Sequence, residues 1–236
     1  MQKSSGFMVM TRLIAFGLIV VGLAACAVTT PQSQKARILV MGDSLMASNG
    51  QSGEAVSDVI EQRLKQPVVD RAVPGARYLH FLPLSGAVGL KIPKQFVDRS
   101  WDWVVLNGYG NDILLGCGCR KCDRQMNRLI SGDGQSGAIA DFVRRIRATG
   151  ARVIYTGYLR TPGFHSPVER CGLIGDQLDK RLALLAVQDR GVFFVGLSDL
   201  VPDGDRSYHA IDRVHPSRKG SQAIGARIAD VIRKNK

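Results

Sequence analysis

Five short apolar runs punctuate the chain after residue 36, and each predicts a β-strand: Arg37–Met41, Val68–Ala72, Trp103–Leu106, Arg152–Thr156 and Val192–Val195. No regular polar alternation breaks their Val, Ile, Leu and Phe positions, as suits strands buried on both faces of a parallel sheet. Between the runs the apolar period lengthens to that of a helix. Gly53–Gln66 sets Ala55, Val56, Val59, Ile60 and Leu64 on one stripe and stops before Pro67. Ala138–Thr149 places Ile139, Phe142, Val143 and Ile146 on one face, keeps Arg144, Arg145 and Arg147 off it, and ends at Gly150. Ile174, Leu178, Leu182 and Leu185 mark a third helix, and Ile224, Ile228, Val231 and Ile232 the last. Strands and helices alternating at this rhythm predict a doubly wound α/β sandwich.

Sheets of this kind bind their ligands beyond the carboxyl ends of the strands. Gly42-Asp43-Ser44-Leu45 follows the first strand directly, Gly75 the second and Asn111 the third. Asp212-Arg213-Val214-His215-Pro216-Ser217 comes after the last strand and leads into the final helix. All four therefore fall on one edge of the predicted sheet. A serine where a strand gives way to a helix exposes its hydroxyl beside free backbone N–H groups. Taken alone, such a serine is usually only a helix N-cap. A hydroxyl also needs a base to act as a nucleophile at neutral pH. His215 can take its proton and return it to a leaving alcohol, and Asp212 can fix the imidazole tautomer. The oxyanion of the tetrahedral intermediate needs preorganised donors, for which the candidates are the N–H groups of Ser44 and Gly75 and the Asn111 amide.

In this order, Gly42-Asp43-Ser44-Leu45, Gly75, Asn111-Asp112 and Asp212-x-x-His215-Pro216-Ser217 resemble the blocks of the SGNH (GDSL-type) hydrolase family. The resemblance runs through most of the chain after residue 36. It implies a flavodoxin-like three-layer α/β/α sandwich with a five-stranded parallel sheet. It also implies a serine esterase mechanism with neither metal nor organic cofactor. Ser44 would be the nucleophile, His215 the base and Asp212 its partner, with Ser44, Gly75 and Asn111 forming the oxyanion hole. One position departs from the family pattern: Tyr109, between Gly108 and Gly110, stands where the family usually has glycine two residues before the asparagine. Asp43 and Asp112 read as structural, holding their loops. His80, His165 and His209 have no comparable context and read as surface or loop histidines, with His165 a candidate to line the cleft.

The N-terminus changes the picture of where this chemistry happens. Lys3 and Arg12 precede an apolar run from Leu13 to Ala25, too short to span a bilayer comfortably and flanked like a secretory signal. Leu23-Ala24-Ala25-Cys26 looks like a bacterial lipobox, which makes residues 1–25 a signal peptide and Cys26 a lipidated first residue. The alternative is ordinary cleavage near Ala25 or Ala27. Residues 26–35 read as a polar tether, and 36–236 as a single hydrolase domain. Several acyl chains on Cys26 would anchor the protein stably, with the periplasmic face of the outer membrane favoured. The formal net charge of +12 is spread over scattered arginines, which suits attraction to anionic envelope components. Nucleic-acid binding is not expected, since no basic stretch is interleaved with aromatics.

Four cysteines remain beyond Cys26: Cys117, Cys119, Cys122 and Cys171, an even number in an oxidising compartment. Two disulfides are expected. Three connectivities are open, Cys117–Cys119 is disfavoured by adjacency, and at least one clustered cysteine should reach Cys171. A tetrathiolate zinc site and a redox CxxC are the lesser readings. The chain thus reads as an exported, lipid-anchored serine ester hydrolase acting on small, lipid or O-acetylated polysaccharide esters. An O-acyltransferase would use the same residues and differ only in needing an acceptor. A catalytically silent envelope-binding lipoprotein would keep the fold and show no turnover.

Overall fold

The computed structural model describes residues 34–80, 88–162 and 166–236. The signal peptide, Cys26, nearly all of the tether and His165 lie outside the described residues. Five strands, β1 (Ile38–Met41), β2 (Val68–Asp70), β3 (Trp103–Leu106), β4 (Arg152–Thr156) and β5 (Val192–Val195), form one parallel sheet in the order β2-β1-β3-β4-β5. The chain leaves β1 toward one edge and returns to β3 on the other side, so the topological switch point lies between β1 and β3. Met41 pairs with Leu106, and Leu106 with Tyr155. The residues that follow these three strands are therefore neighbours in space.

Successive strand residues point to opposite faces, and this divides the core in two. Leu39, Met41, Val104, Leu106, Val153 and Tyr155 pack with α4 (Gly110–Cys117), α5 (Asp123–Leu129), α6 (Ala138–Arg147) and α7 (Gly172–Gln188). Ile38, Val40, Trp103, Val105 and Ile154 pack with α1 (Ser44–Ala47), α2 (Val56–Leu64) and α8 (Arg218–Lys234) on the other face. A short α3 (Ile92–Gln95) precedes β3. This is the flavodoxin-like three-layer sandwich expected from the resemblance.

Three details differ from the sequence expectations. Burial on both faces holds for β1 and β3 and nearly so for β4, whereas β2 and β5 are edge strands and remain partly exposed. The helix expected over Gly53–Gln66 is shorter, because Gly53 closes a preceding 3-10 turn in the left-handed region and Lys65 ends α2 there, with φ of 68° and 53°. Helices α4 and α5 were not expected. The glycines and cysteine of α4 and the polar residues of α5 leave too few apolar positions to show a helical period, and tertiary packing of Ile113, Met126 and Leu129 decides the outcome.

Candidate active site

Asp43 caps α1: its carboxylate accepts from the Leu45 N–H at 3.0 Å, leaving Ser44 as the first residue of the helix. The Ser44 N–H has no acceptor among the described residues. The turn that aims it depends on Gly42, whose φ of +144° disfavours any side chain. A Cβ there would also collide with the Asn107 amide, which accepts from the Asp43 N–H at 3.0 Å and donates to the Asp43 carboxylate at 2.9 Å. Gln95 braces the same turn, accepting from the Gly42 N–H at 2.8 Å and donating to its carbonyl at 2.9 Å.

His215 arrives on a hairpin. Tyr208 and His209 run antiparallel to Pro216 and Ser217, joined by Ala210 N–H to His215 O at 2.8 Å and Ser217 N–H to Tyr208 O at 2.9 Å. Arg213 turns the tip with φ 58°. This brings His215 Nε2 to 2.9 Å from Ser44 Oγ, across 171 positions of sequence. His215 Nδ1 lies 2.6 Å from Asp212 Oδ2, while Asp212 Oδ1 accepts the N–H groups of Val214 and His215 at 3.0 Å each. Burial would raise the Asp212 pKa, but the imidazole and the two N–H donors outweigh it and hold the carboxyl below its usual range. Asn49 ties the two halves together, donating to Pro216 O at 3.2 Å and to Ser221 Oγ at 2.9 Å.

Of the expected oxyanion donors, Asn111 lines the cleft, but its amide nitrogen already faces Ala76 O at 3.1 Å and, more weakly, Asp43 Oδ2 at 3.4 Å. Gly75 stands one residue before Ala76 with φ +80°, and its N–H has no acceptor among the described residues. Asp112 pins this loop by accepting from Tyr78 N–H at 2.9 Å and Leu79 N–H at 2.8 Å, as its structural reading anticipated. Burial pushes its pKa to about 6.

Tyr109, the departure from the family pattern, has its backbone in extended geometry at φ 171° and needs no glycine there. Its side chain lines the cleft and donates to Asp179 Oδ1 at 2.7 Å. Tyr158 packs edge-on against it, ring centroids 4.7 Å apart. The Tyr158 hydroxyl accepts from the N–H groups of Tyr109 at 3.2 Å and Gly110 at 3.0 Å, and donates to Asp43. Tyr158, Asn107, Gln95 and Asn49 were not singled out in the sequence. Asn107 and Tyr158 stand just past strand ends, as Ser44 does, and that position was the available signal.

The four cysteines form two disulfides, Cys117–Cys122 and Cys119–Cys171, with Cα separations of 5.5 and 5.0 Å. The second joins the loop after α4 to the start of α7, and Cys171 faces the cleft. His209 lies in a loop, one of the two readings, but not on the surface: it is 7% exposed, paired against Pro216 in the hairpin. His80 is only half-buried.

The arrangement is a serine, imidazole and carboxylate in one hydrogen-bonded line at the mouth of a cleft of about 250 Å³. Such a line can deliver a hydroxyl oxygen to an acyl carbon and pass its proton onward. The sequence model of the GDSL-like lipase/acylhydrolase family matches residues 40–223, and the chain belongs to that family of serine ester hydrolases. No curated protein matches the chain significantly. Among solved structures, it is similar to a protein from Slackia heliotrinireducens assigned to the SGNH hydrolases, with TM-score 0.59, 19% identity, and 84% of this chain and 98% of that chain covered. A GDSL-like lipase from Bacteroides thetaiotaomicron gives TM-score 0.55 and 21% identity, covering 89% and 94% of the two chains. A family two carbohydrate esterase from Clostridium thermocellum in complex with cellohexaose gives TM-score 0.57 and 16% identity, covering 85% of this chain but 64% of that one.

Proposed function

We propose that Ser44 is the nucleophile of an acyl-enzyme mechanism on carboxylic esters, with His215 as general base and Asp212 as its partner. The continuous contact from Ser44 Oγ through His215 to Asp212, at 2.9 and 2.6 Å, carries this reading. Oγ attacks the ester carbonyl carbon while Nε2 takes its proton. As the tetrahedral intermediate collapses, the bond to the alkoxy oxygen breaks and the imidazolium protonates the departing alcohol. Water, activated by the same imidazole, then releases the acid and restores Ser44. The oxyanion is received by the N–H groups of Ser44 and Gly75 and by the Asn111 amide, which exchanges its contact with Asp43 for one to the substrate.

The substrates are carboxylic esters of the cell envelope: small esters, lipid esters or O-acetylated polysaccharide. Structural similarity to a carbohydrate esterase holding cellohexaose supports the sugar alternative. The lipobox at Leu23–Cys26 supports anchoring on the periplasmic side of the envelope. Hydrolysis of p-nitrophenyl esters tests the mechanism. Ser44→Ala and His215→Ala are expected to lose roughly 10⁴–10⁶-fold in kcat. A Ser44→Ala protein that keeps the wild-type rate would refute the assignment.

A further inference from the structure

The cleft extends beyond Ser44 into an arm between α4 and α7, whose walls are unequal. On the α4 side stand Ile113 and Leu114; on the α7 side the lining residues are Gly172 and Gly175. Neither glycine is demanded by the backbone: Gly172 has helical angles of −51° and −52°, and Gly175 has no positive φ. Glycine within a helix is intrinsically unfavourable compared with alanine, so its presence at two neighbouring wall positions calls for another reason. Space is that reason. A Cβ on Gly172 would meet nothing within 4 Å, and one on Gly175 would come 3.4 Å from the Arg160 guanidinium and 3.9 Å from the Tyr109 hydroxyl.

Tyr109 and Arg160 also line the cleft. Tyr109 is held by its N–H on the Tyr158 hydroxyl, beside Asp43, and by its own hydroxyl on Asp179. Arg160 is bound by Asp176 and, at 3.4 Å, by Asp179. Its charge is matched by two carboxylates, so it is no receptor for a free anion. An apolar chain gains by leaving water along Leu114 and the glycine face. It gains nothing by pressing on a partly buried ion-pair cluster.

We propose that this arm is the acyl pocket, that it takes an apolar chain longer than acetyl, and that Gly172 and Gly175 set that length. The proposal rests on Ser44 being the acylated residue. Two experiments separate the two claims. In a p-nitrophenyl ester series from acetate to decanoate, the wild-type optimum lies beyond acetate. Gly172→Leu, which fills open space on an already helical backbone, lowers the hexanoate-to-acetate ratio of kcat/KM by at least about tenfold. Leu114→Ala widens the arm from the other wall and moves the optimum to longer chains. Hexanoate titrated onto Ser44→Ala and followed by amide chemical shifts binds, and fails to bind Ser44→Ala/Gly172→Leu. Chain-length profiles identical in wild type, Gly172→Leu and Leu114→Ala overturn the pocket while leaving Ser44 in place. Hexanoate binding indifferent to Gly172→Leu overturns it as well. Glycine-dependent hexanoate binding without turnover of any ester removes the assignment of Ser44, and with it the acyl role of the arm, while leaving Gly172 a determinant of chain binding.

Discussion

One hydroxyl holds Ser44 and Asn111 in register. Tyr158 receives the first N–H groups of α4, which carries Asn111, and donates to Asp43, which caps the helix beginning at Ser44. Burial, then the neighbouring Asp43 carboxylate, push the Tyr158 pKa well above its usual value, so the phenol stays a donor. Tyr158→Phe should keep the ring stacked on Tyr109, lose about 1–3 kcal/mol of stability, and lower kcat roughly tenfold with KM little changed. A lowered melting temperature with intact kcat would leave Tyr158 as a packing residue only. Asp112 offers a pH test. Its folded pKa of about 6 lies above the unfolded value, so the folded state binds the proton more tightly. Its contribution to stability is full below about pH 4 and lost as pH rises to about 6, by roughly 3 kcal/mol in all. Denaturant midpoints of wild type and Asp112→Asn should therefore diverge across that window in favour of the variant. A constant difference would show that the carboxyl is ionised throughout. At this scale Ser44, Asp212 and His215 were legible, because hydroxyl, carboxylate and imidazole chemistry is written in residue type. Gln95, Asn107 and Tyr158 were not, because an amide or phenol tells nothing until its neighbours are known.

Among the elements, the segment from α4 to α7 depends most on covalent ties. Cys119–Cys171 closes a loop of 52 residues and fixes the start of α7, while Cys117–Cys122 tightens the turn after α4. Peptide mapping under non-reducing conditions should return these two pairs; any other pairing, or free thiols, would contradict the fold of this wall. The Cys119→Ser/Cys171→Ser protein should lose about 2–4 kcal/mol of stability. It should also discriminate less sharply among acyl chain lengths, because Cys171 borders the glycine face. The strands and the amphipathic helices α6 and α8 were legible from their periods. Helices α4 and α5 were not, since their few apolar side chains gain meaning only against the sheet.

For the whole molecule, the proposed N-terminal anchor bears on where the hydrolase domain works. Among the described residues no helix is long and apolar enough to cross a membrane. We propose that lipidation of Cys26 carries the protein to the membrane, reinforced by the positive charge of the chain toward anionic surfaces. Expressed at full length in a bacterial host, the protein should sediment with the membrane fraction, and Cys26→Ala should release it or leave the precursor uncleaved. Quantitative recovery of the unmodified wild-type protein in the soluble periplasmic fraction would refute the anchor.

Strand number, the alternation of β and α, and the order of the chemical blocks all follow from local pattern, and local pattern is what a sequence states directly. The pairing of cysteines, the 2.9 Å contact of Ser44 with a histidine 171 residues away, and the removal of His209 from the surface are set by distances that no spacing rule contains. The shape of the cleft belongs to the same class. Ile113 and Leu114 stand on one of its walls, and Gly172 and Gly175 on another. A cavity is defined by atoms from separate elements and by the side chains that are missing, and only the packed chain brings these together.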